Sequence, residues 1–173
     1  GNINHIVVTG GEPFLQAEIV AELCRQLKSV APFHITVETN ATIYDEACAR
    51  ELDFFSMSPK LSGSVPSPPH AEQHDRIRLN REAIQSFITH AREHGKDFQL
   101  KFVYSGESDI TEIKQLLSRL QDWKQEDILL MPMGATPKEL QLTIPKTLEH
   151  CIQNGWRYCD RLHIALFGNK QGV

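Results

Sequence analysis

Ile6-Val7-Val8-Thr9-Gly10-Gly11-Glu12-Pro13 carries a short apolar run into two glycines, a carboxylate and a proline, and a helical pattern begins just beyond. Glycine has no Cβ and tolerates unusual dihedrals, so a strand ending in two glycines lets a ligand approach the backbone. The glutamate and proline fit a rigid ligand-binding turn at the C-terminal end of a strand, where α/β sheets and barrels hold their sites. A plain Gly-Gly turn between strand and helix is the other reading of the dipeptide taken alone.

Working outward, strand and helix patterns alternate. Residues 4–9 read as a strand, and Leu15, Ile19, Leu23 and Leu27 recur every four residues as the apolar side of a helix. Residues 34–38 (HITVE) are β-branched and read as the next strand, followed by a short helix over 44–50 and a strand over 54–57. Ala83, Ile84, Phe87, Ile88 and Ala91 form a helical stripe that Gly95 ends. A strand over 98–103 leads to a helix capped by Asp109, with Ile110, Ile113, Leu116, Leu117 and Leu120 on one face. Then come a strand over 128–131, a helix over 137–153 that Pro145 should kink or split, and a last strand over 162–166. Such alternation predicts βα units and a parallel sheet. Residues 61–79, with Pro66, Pro68, Pro69 and several serines, lack periodicity and read as a functional lid or surface loop.

At 173 residues the chain is one domain's worth, without an internal repeat or boundary. A net charge of −4 gives no reason to expect a nucleic-acid partner, and no apolar run reaches membrane-span length. The default expectation is a cytoplasmic protein. The chain opens without Met and enters a buried strand at once, which suggests sequence upstream of Gly1. Cys24, Cys48, Cys151 and Cys159 fall in no zinc or iron–sulfur spacing, and Cys24 sits on the apolar side of its helix. His70-x-x-x-His74-Asp75 has a spacing that suits zinc on a helix, but lies in the Pro-rich stretch without helical periodicity.

Polar groups cluster after the predicted strands: Thr9–Glu12, Glu38-Thr39-Asn40, Ser58-Pro59-Lys60, Lys101 within QLKFV, and Met131-Pro132-Met133-Gly134, with His163 opening the last strand after Arg161. Singly, each has a plain structural reading: a solvated cap, a proline turn, a snorkelling lysine, a core histidine. Parallel strands would bring all of them to one face, and that coincidence favours a site.

With those residues assembled, the chain resembles the 7-carboxy-7-deazaguanine synthase family of radical S-adenosylmethionine enzymes. The resemblance runs nearly end to end, through VVTGGEPFLQ, VETNAT, SMSPKLSGS, LNREAIQSFITHAREHGKDFQLKFV, LLMPMGATPKEL and GWRYCDRLHIALFGNKQGV. GGEP indicates only the superfamily; the Ser-Pro-Lys turn, the QLKFV strand and the HIALFGNKQGV tail are more particular. It implies a partial (β/α) barrel of the radical S-adenosylmethionine type, with only the later strands in this chain. It implies that Gly10, Gly11 and Glu12 hold the methionine end of S-adenosylmethionine and that Glu38 takes the ribose hydroxyls. Ser58 and Lys60 would also face the cofactor, and Met131 and Met133 would lie against its adenosyl part. Thr9, His163 and, more weakly, the C-terminal Val173 would contact the substrate, 6-carboxy-5,6,7,8-tetrahydropterin. No catalytic residue is assigned in this chain.

The reaction so implied is a ring contraction with loss of ammonia to 7-carboxy-7-deazaguanine, a carbon–nitrogen lyase step in queuosine or related 7-deazapurine biosynthesis. It would use a [4Fe-4S] cluster, Mg2+ and a reductant such as flavodoxin or ferredoxin, in a homodimer. The family's cluster cysteines, in a C-x-x-x-C-x-x-C-type segment, precede GGEP. No cysteine of this chain does. The expectation is therefore a single radical S-adenosylmethionine core domain, N-terminally incomplete and inactive alone, with cluster and magnesium ligands upstream of Gly1. The alternatives are a non-catalytic S-adenosylmethionine-binding domain and a glycyl-radical activase.

Overall fold

The computed structural model describes residues 3–64, 78–168 and 170. Its frame is a six-stranded sheet in which β1 (His5–Val8), β2 (His34–Thr39), β3 (Phe54–Met57), β4 (Asp97–Tyr104), β5 (Ile128–Pro132) and β6 (Arg157–Tyr158) lie side by side in chain order. All neighbouring strands run parallel. Parallel neighbours need crossovers, and crossovers of one hand between strands laid down in one direction put their helices on one side of the sheet. The outcome is an open α/β sheet consistent with a partial (β/α) barrel.

The connecting helices are α1 (Ala17–Val30), α2 (Glu46–Glu51), α3 (Arg81–Glu93), α4 (Glu107–Leu117), α5 (Pro137–Asn154) and α6 (Leu162–Phe167). Their starts follow local chemistry. Asp45 accepts from the Cys48 amide at 2.8 Å to cap α2, and Asn80 accepts from Ala83 at 3.1 Å to cap α3. Thr136 caps α5 ahead of Pro137, and Gly155, at φ 67°, closes it in the left-handed conformation that glycine adopts without a Cβ penalty.

Strand alternation gives the sheet two unlike faces. Ile35, Val37, Phe55, Met57, Phe98, Leu100, Phe102, Ile128 and Leu130 are each no more than 3% exposed and form the core with the helices. Each such burial contributes about 1.5–3 kcal/mol before entropic costs. Phe87 of α3 sits among the rings of Phe14, Tyr44 and Phe55, with centroids at 4.8, 5.0 and 5.4 Å. The alternate positions are polar: Thr36 and Glu38 on β2, Ser56 on β3, Gln99 and Lys101 on β4. Register sets Glu38 beside Ser56 and Ser56 beside Gln99. This face bonds to itself, Gln99 donating to Ser56 at 2.9 Å and His5 pairing with Thr36 at 2.8 Å.

Several sequence expectations change. Residues 162–166 form helix rather than strand, and the sixth strand is the short Arg157–Tyr158, paired with Leu129 and Leu130. A brief apolar run fits either element, and here only Ile164 of that run is shown buried, while Leu162, Leu166 and Phe167 are exposed. Leu15, Ile19 and Leu23 do not face the core; they are 71%, 65% and 45% exposed, and α1 buries Val20, Ala21 and Cys24 instead. α4 begins at Glu107, and Asp109 serves its start from inside the first turn, accepting from the Ser105 amide and hydroxyl at 2.6 and 2.7 Å. α5 runs unbroken through Pro145, whose missing N–H removes the helical donor to the carbonyl of Gln141, an exposed residue that water can reach. The short helix before β3 starts at Glu46, so Tyr44 lies ahead of it. Cys24, Cys48 and Cys151 are buried and unpaired, as expected, and Cys159 is half-buried. Most of the predicted lid, with His70, His74 and Asp75, lies outside the described residues.

Candidate cofactor and substrate site

Because the strands are parallel, their C-terminal ends share one rim, and the polar groups flagged in the sequence meet there. Thr9, Gly10, Gly11, Glu38, Thr39, Asn40, Ser56, Ser58, Lys60 and Lys101 line a cavity of about 260 Å3. A second cavity of about 360 Å3 adjoins it across Ser58 and Lys60, its far wall built from Val103, Ser105, Asp109, Met133 and Arg161. Gly10 holds φ at 137°, and Cβ atoms built on Gly10 or Gly11 would meet nothing within 4 Å, so this edge is open backbone.

Glu12 is a brace between strands. Its Oε1 accepts from the Thr39 hydroxyl at 2.7 Å and the Phe14 amide at 3.1 Å, and its Oε2 accepts from the Asn40 amide at 2.8 Å. The carboxylate thus ties the turn after β1 to the end of β2, and it is not among the residues lining either cavity. An ammonium could use only its remaining acceptor capacity.

Glu38 is the carboxylate presented to the cavity. Its side chain is 44% exposed; Oε2 accepts from Thr9 Oγ1 at 3.1 Å, and Oε1 lies 3.4 Å from Lys101 Nζ. Thr9 and Glu38, assigned to different ligands by the resemblance, are direct partners. Lys101 was legible as a polar group inside a strand, but not as the counter-charge of Glu38. Alternation places the two on the same face. Lys60 donates to Ser58 Oγ at 3.3 Å. Burial, and then the nearby Lys101 charge, pull its amine below the ordinary lysine range, while Glu12 and Glu38 oppose the shift. Among the described residues, the rim therefore holds in one cavity lining an amine and a carboxylate that both keep hydrogen-bonding capacity for a ligand.

The turn after β5 is held from several sides. The Met133 amide donates to the Tyr104 carbonyl at 2.9 Å, the Thr143 hydroxyl donates to the Met133 carbonyl at 2.8 Å, and Arg161 Nη1 donates to the Gly134 carbonyl at 3.0 Å. A Cβ on Gly134 would lie 2.9 Å from Leu140 Cδ2 and 3.0 Å from its amide, so only glycine lets α5 approach this closely. Met133 lines the larger cavity; Met131, half-buried in β5 beside Val103, lines neither. His163 is exposed on α6 and likewise lines neither, so it is not brought to the other groups. Val173 lies outside the described residues. Arg161, two positions before His163, is the basic residue of this connection that does reach the cavity wall.

Glu38, Lys60 and the open glycine edge fit an adenosyl amino acid: acceptors for paired hydroxyls, a cation for a carboxylate, and close backbone approach. They do not fit a metal cluster. Among the described residues no group of three or more His, Cys, Asp or Glu could hold a metal ion, and no helix is long and apolar enough to cross a membrane.

No protein-family model matches the chain. It is 35% identical over 174 residues to the 7-carboxy-7-deazaguanine synthase of Halobacterium salinarum, the match covering 96% of this chain and 66% of that protein. The protein of the same name from Rhodopirellula baltica is 34% identical over 175 residues, with 99% of this chain and 64% of that one covered. That from Pyrobaculum aerophilum is 26% identical over 172 residues, with 98% and 68% covered. The chain thus spans about two thirds of the length of these curated relatives. Its fold is like that in the crystal structure of QueE from Escherichia coli, with a TM-score of 0.61, 23% identity, and 91% of this chain and 56% of that one covered. Over the span that it covers, the chain belongs to the 7-carboxy-7-deazaguanine synthase family.

Proposed function

We propose that the paired cavities at the strand ends hold S-adenosylmethionine with a pterin carboxylate beside it, and that the whole protein contracts 6-carboxy-5,6,7,8-tetrahydropterin to 7-carboxy-7-deazaguanine with loss of ammonia. The observation that carries this reading is the half-exposed Glu38 carboxylate in the same cavity wall as Lys60 and the Gly10-Gly11 edge. A carboxylate with open lone pairs suits the vicinal hydroxyls of a ribose, and a half-buried amine suits an amino-acid carboxylate.

In this reading Glu38, turned by Thr9 and Lys101, orients the ribose. Lys60 and Ser58 take the methionine carboxylate, and the Gly10-Gly11 backbone takes its ammonium. Glu12 keeps the turn after β1 in register with β2 rather than touching the ligand. Met133, in the turn pinned by Arg161 and Thr143, packs against the adenosyl group. When bound, S-adenosylmethionine would supply the hydrogen-abstracting chemistry, with the protein contributing orientation and exclusion of water. The [4Fe-4S] cluster, Mg2+ and a flavodoxin- or ferredoxin-like reductant complete the proposed reaction; the described residues do not fit the cluster.

Isothermal titration with S-adenosylmethionine tests the reading. Wild-type protein is expected to bind, and Lys60→Ala or Glu38→Ala to weaken binding about tenfold or more, equivalent to about 1.4 kcal/mol or more. Unchanged affinity in both variants sinks it.

A further inference from the structure

Residues 60 and 78 are far apart in the chain, yet both ends of the stretch between them close on one carboxylate. Glu112 stands on α4, and its Oε2 accepts from the Ser62 hydroxyl at 2.7 Å and the Ser62 amide at 2.9 Å. Its Oε1 accepts from Arg78 Nη1 at 2.7 Å. The same Nη1 donates to the Lys60 carbonyl at 2.8 Å, joining the two ends directly. The Arg78 and Glu112 side chains are only 14% and 20% exposed, so the pair is shielded from the screening that weakens surface ion pairs. Burial pushes the Glu112 carboxyl up, but the donors from Ser62 and Arg78 outweigh it and hold it below the ordinary glutamate value.

What this clamp holds is the end of the Ser58-Pro59-Lys60 turn, of which Ser58 and Lys60 line both cavities. The N-terminal end of α4 reaches the site as well, since Ser105 and Asp109 form part of the larger cavity's wall. Lys60 has a long, flexible stem, and its amine donates to the Ser58 hydroxyl, two residues away on the same turn, at 3.3 Å. The position of that amine therefore depends on its backbone, which Thr39 holds at the Ser58 amide and Arg78 at the Lys60 carbonyl.

We propose that Glu112 is a positioning residue: acting through Arg78 and Ser62, it fixes the Ser58–Lys60 turn so that the Lys60 amine meets the carboxylate of an adenosyl amino acid. The proposal rests on the reading that Lys60 faces that ligand. Glu112 lines neither cavity and touches no ligand in that reading.

The test is a double-mutant cycle read by titration with S-adenosylhomocysteine, with thermal denaturation on every variant. Glu112→Ala is expected to weaken binding about tenfold, the kind of loss a misplaced contact causes. In a Lys60→Ala background the same change should add little, because both remove one contact. Glu112→Gln keeps one acceptor oxygen, enough for Ser62 or Arg78 but not both, and should recover only part of the affinity. Rapid amine acetylation followed by mass spectrometry should show Lys60 labelled faster in Glu112→Ala while Lys101 is unchanged. If Glu112→Ala fails to fold, Arg78→Gln opens the same clamp from its other end and carries the same expectations. Affinity unchanged in Glu112→Ala but weakened in Lys60→Ala overturns the proposal alone. So does a loss that adds fully to that of Lys60→Ala, which marks a merely structural role. Affinity unchanged in Lys60→Ala overturns the underlying reading and the proposal with it.

Discussion

Helices α1 and α3 advertise themselves alike in the sequence and end up unlike in the fold. The stripe of α3, from Ala83 through Ala91, is buried throughout, each of its apolar residues no more than 5% exposed. On α1 the four-residue repeat of Leu15, Ile19 and Leu23 is exposed, and the smaller Val20, Ala21 and Cys24 enter the core instead. The nearby strands differ as well: α3 packs over interior strands β3 and β4, whereas β1 has, among the described residues, a strand neighbour on one side and leaves Val7 52% exposed. Periodicity tells a helix where an apolar face is. What covers that face is a property of its surroundings.

Substitutions on the two stripes put the contrast under strain. The largest effect is expected at Phe87, fully buried among three rings: Phe87→Ala should cost about 3–5 kcal/mol, measured by chemical denaturation. A loss below about 1 kcal/mol would mean that α3 is not the packed helix of the pair.

His90, also on α3, should give the next largest effect, through pH. It is 3% exposed, its Nδ1 lies 3.1 Å from the Tyr44 hydroxyl, and its Nε2 has no partner among the described residues. Burial, followed by the charges of Lys96 and His94, pushes its pKa from the ordinary 6.5 down to about 4, with Glu46 opposing and Arg50 assisting. The folded state then binds fewer protons than the unfolded chain between those values. Its contribution is complete above about pH 6.5 and is lost as pH falls toward 4, by roughly 3 kcal/mol in all. Denaturation midpoints against pH should therefore fall more steeply with acid in wild type than in His90→Gln. Parallel curves would show that His90 takes up its proton without unfolding.

The smallest effect is expected on the exposed stripe of α1. Ile19→Gln should change the stability of this chain by no more than about 0.5 kcal/mol. A loss of 2 kcal/mol or so, of the size seen for core truncations, would show that the face is covered in solution and erase the contrast.

Much of this was legible in the residues themselves. Strand–helix alternation and β-branched runs indicated parallel βα units. The rim residues Thr9, Gly10, Gly11, Glu38, Ser58 and Lys60 could be placed together because parallel strands must end on one side. Other features were not, for identifiable reasons. A two-residue strand such as Arg157–Tyr158 carries no periodicity, so the apolar run after it looks like the strand in sequence and places His163 at a strand start that it does not occupy. Glu12 and Glu38 look equivalent as carboxylates after strands; the Thr39 hydroxyl and Asn40 amide distinguish them, and both come from another segment.

The sequence by itself determined the units up to β5 and α5, because backbone propensity, alternation and capping are local. It also determined the chemical character of the rim, because residue type at a strand end does not depend on what lies opposite. Tertiary structure alone decided which carboxylate braces and which is presented, that Lys101 faces Glu38, that Glu112 gathers residues 60, 62 and 78, and which side of α1 is buried. Those outcomes depend on pairings between residues distant in the chain, and a linear pattern contains no term for them.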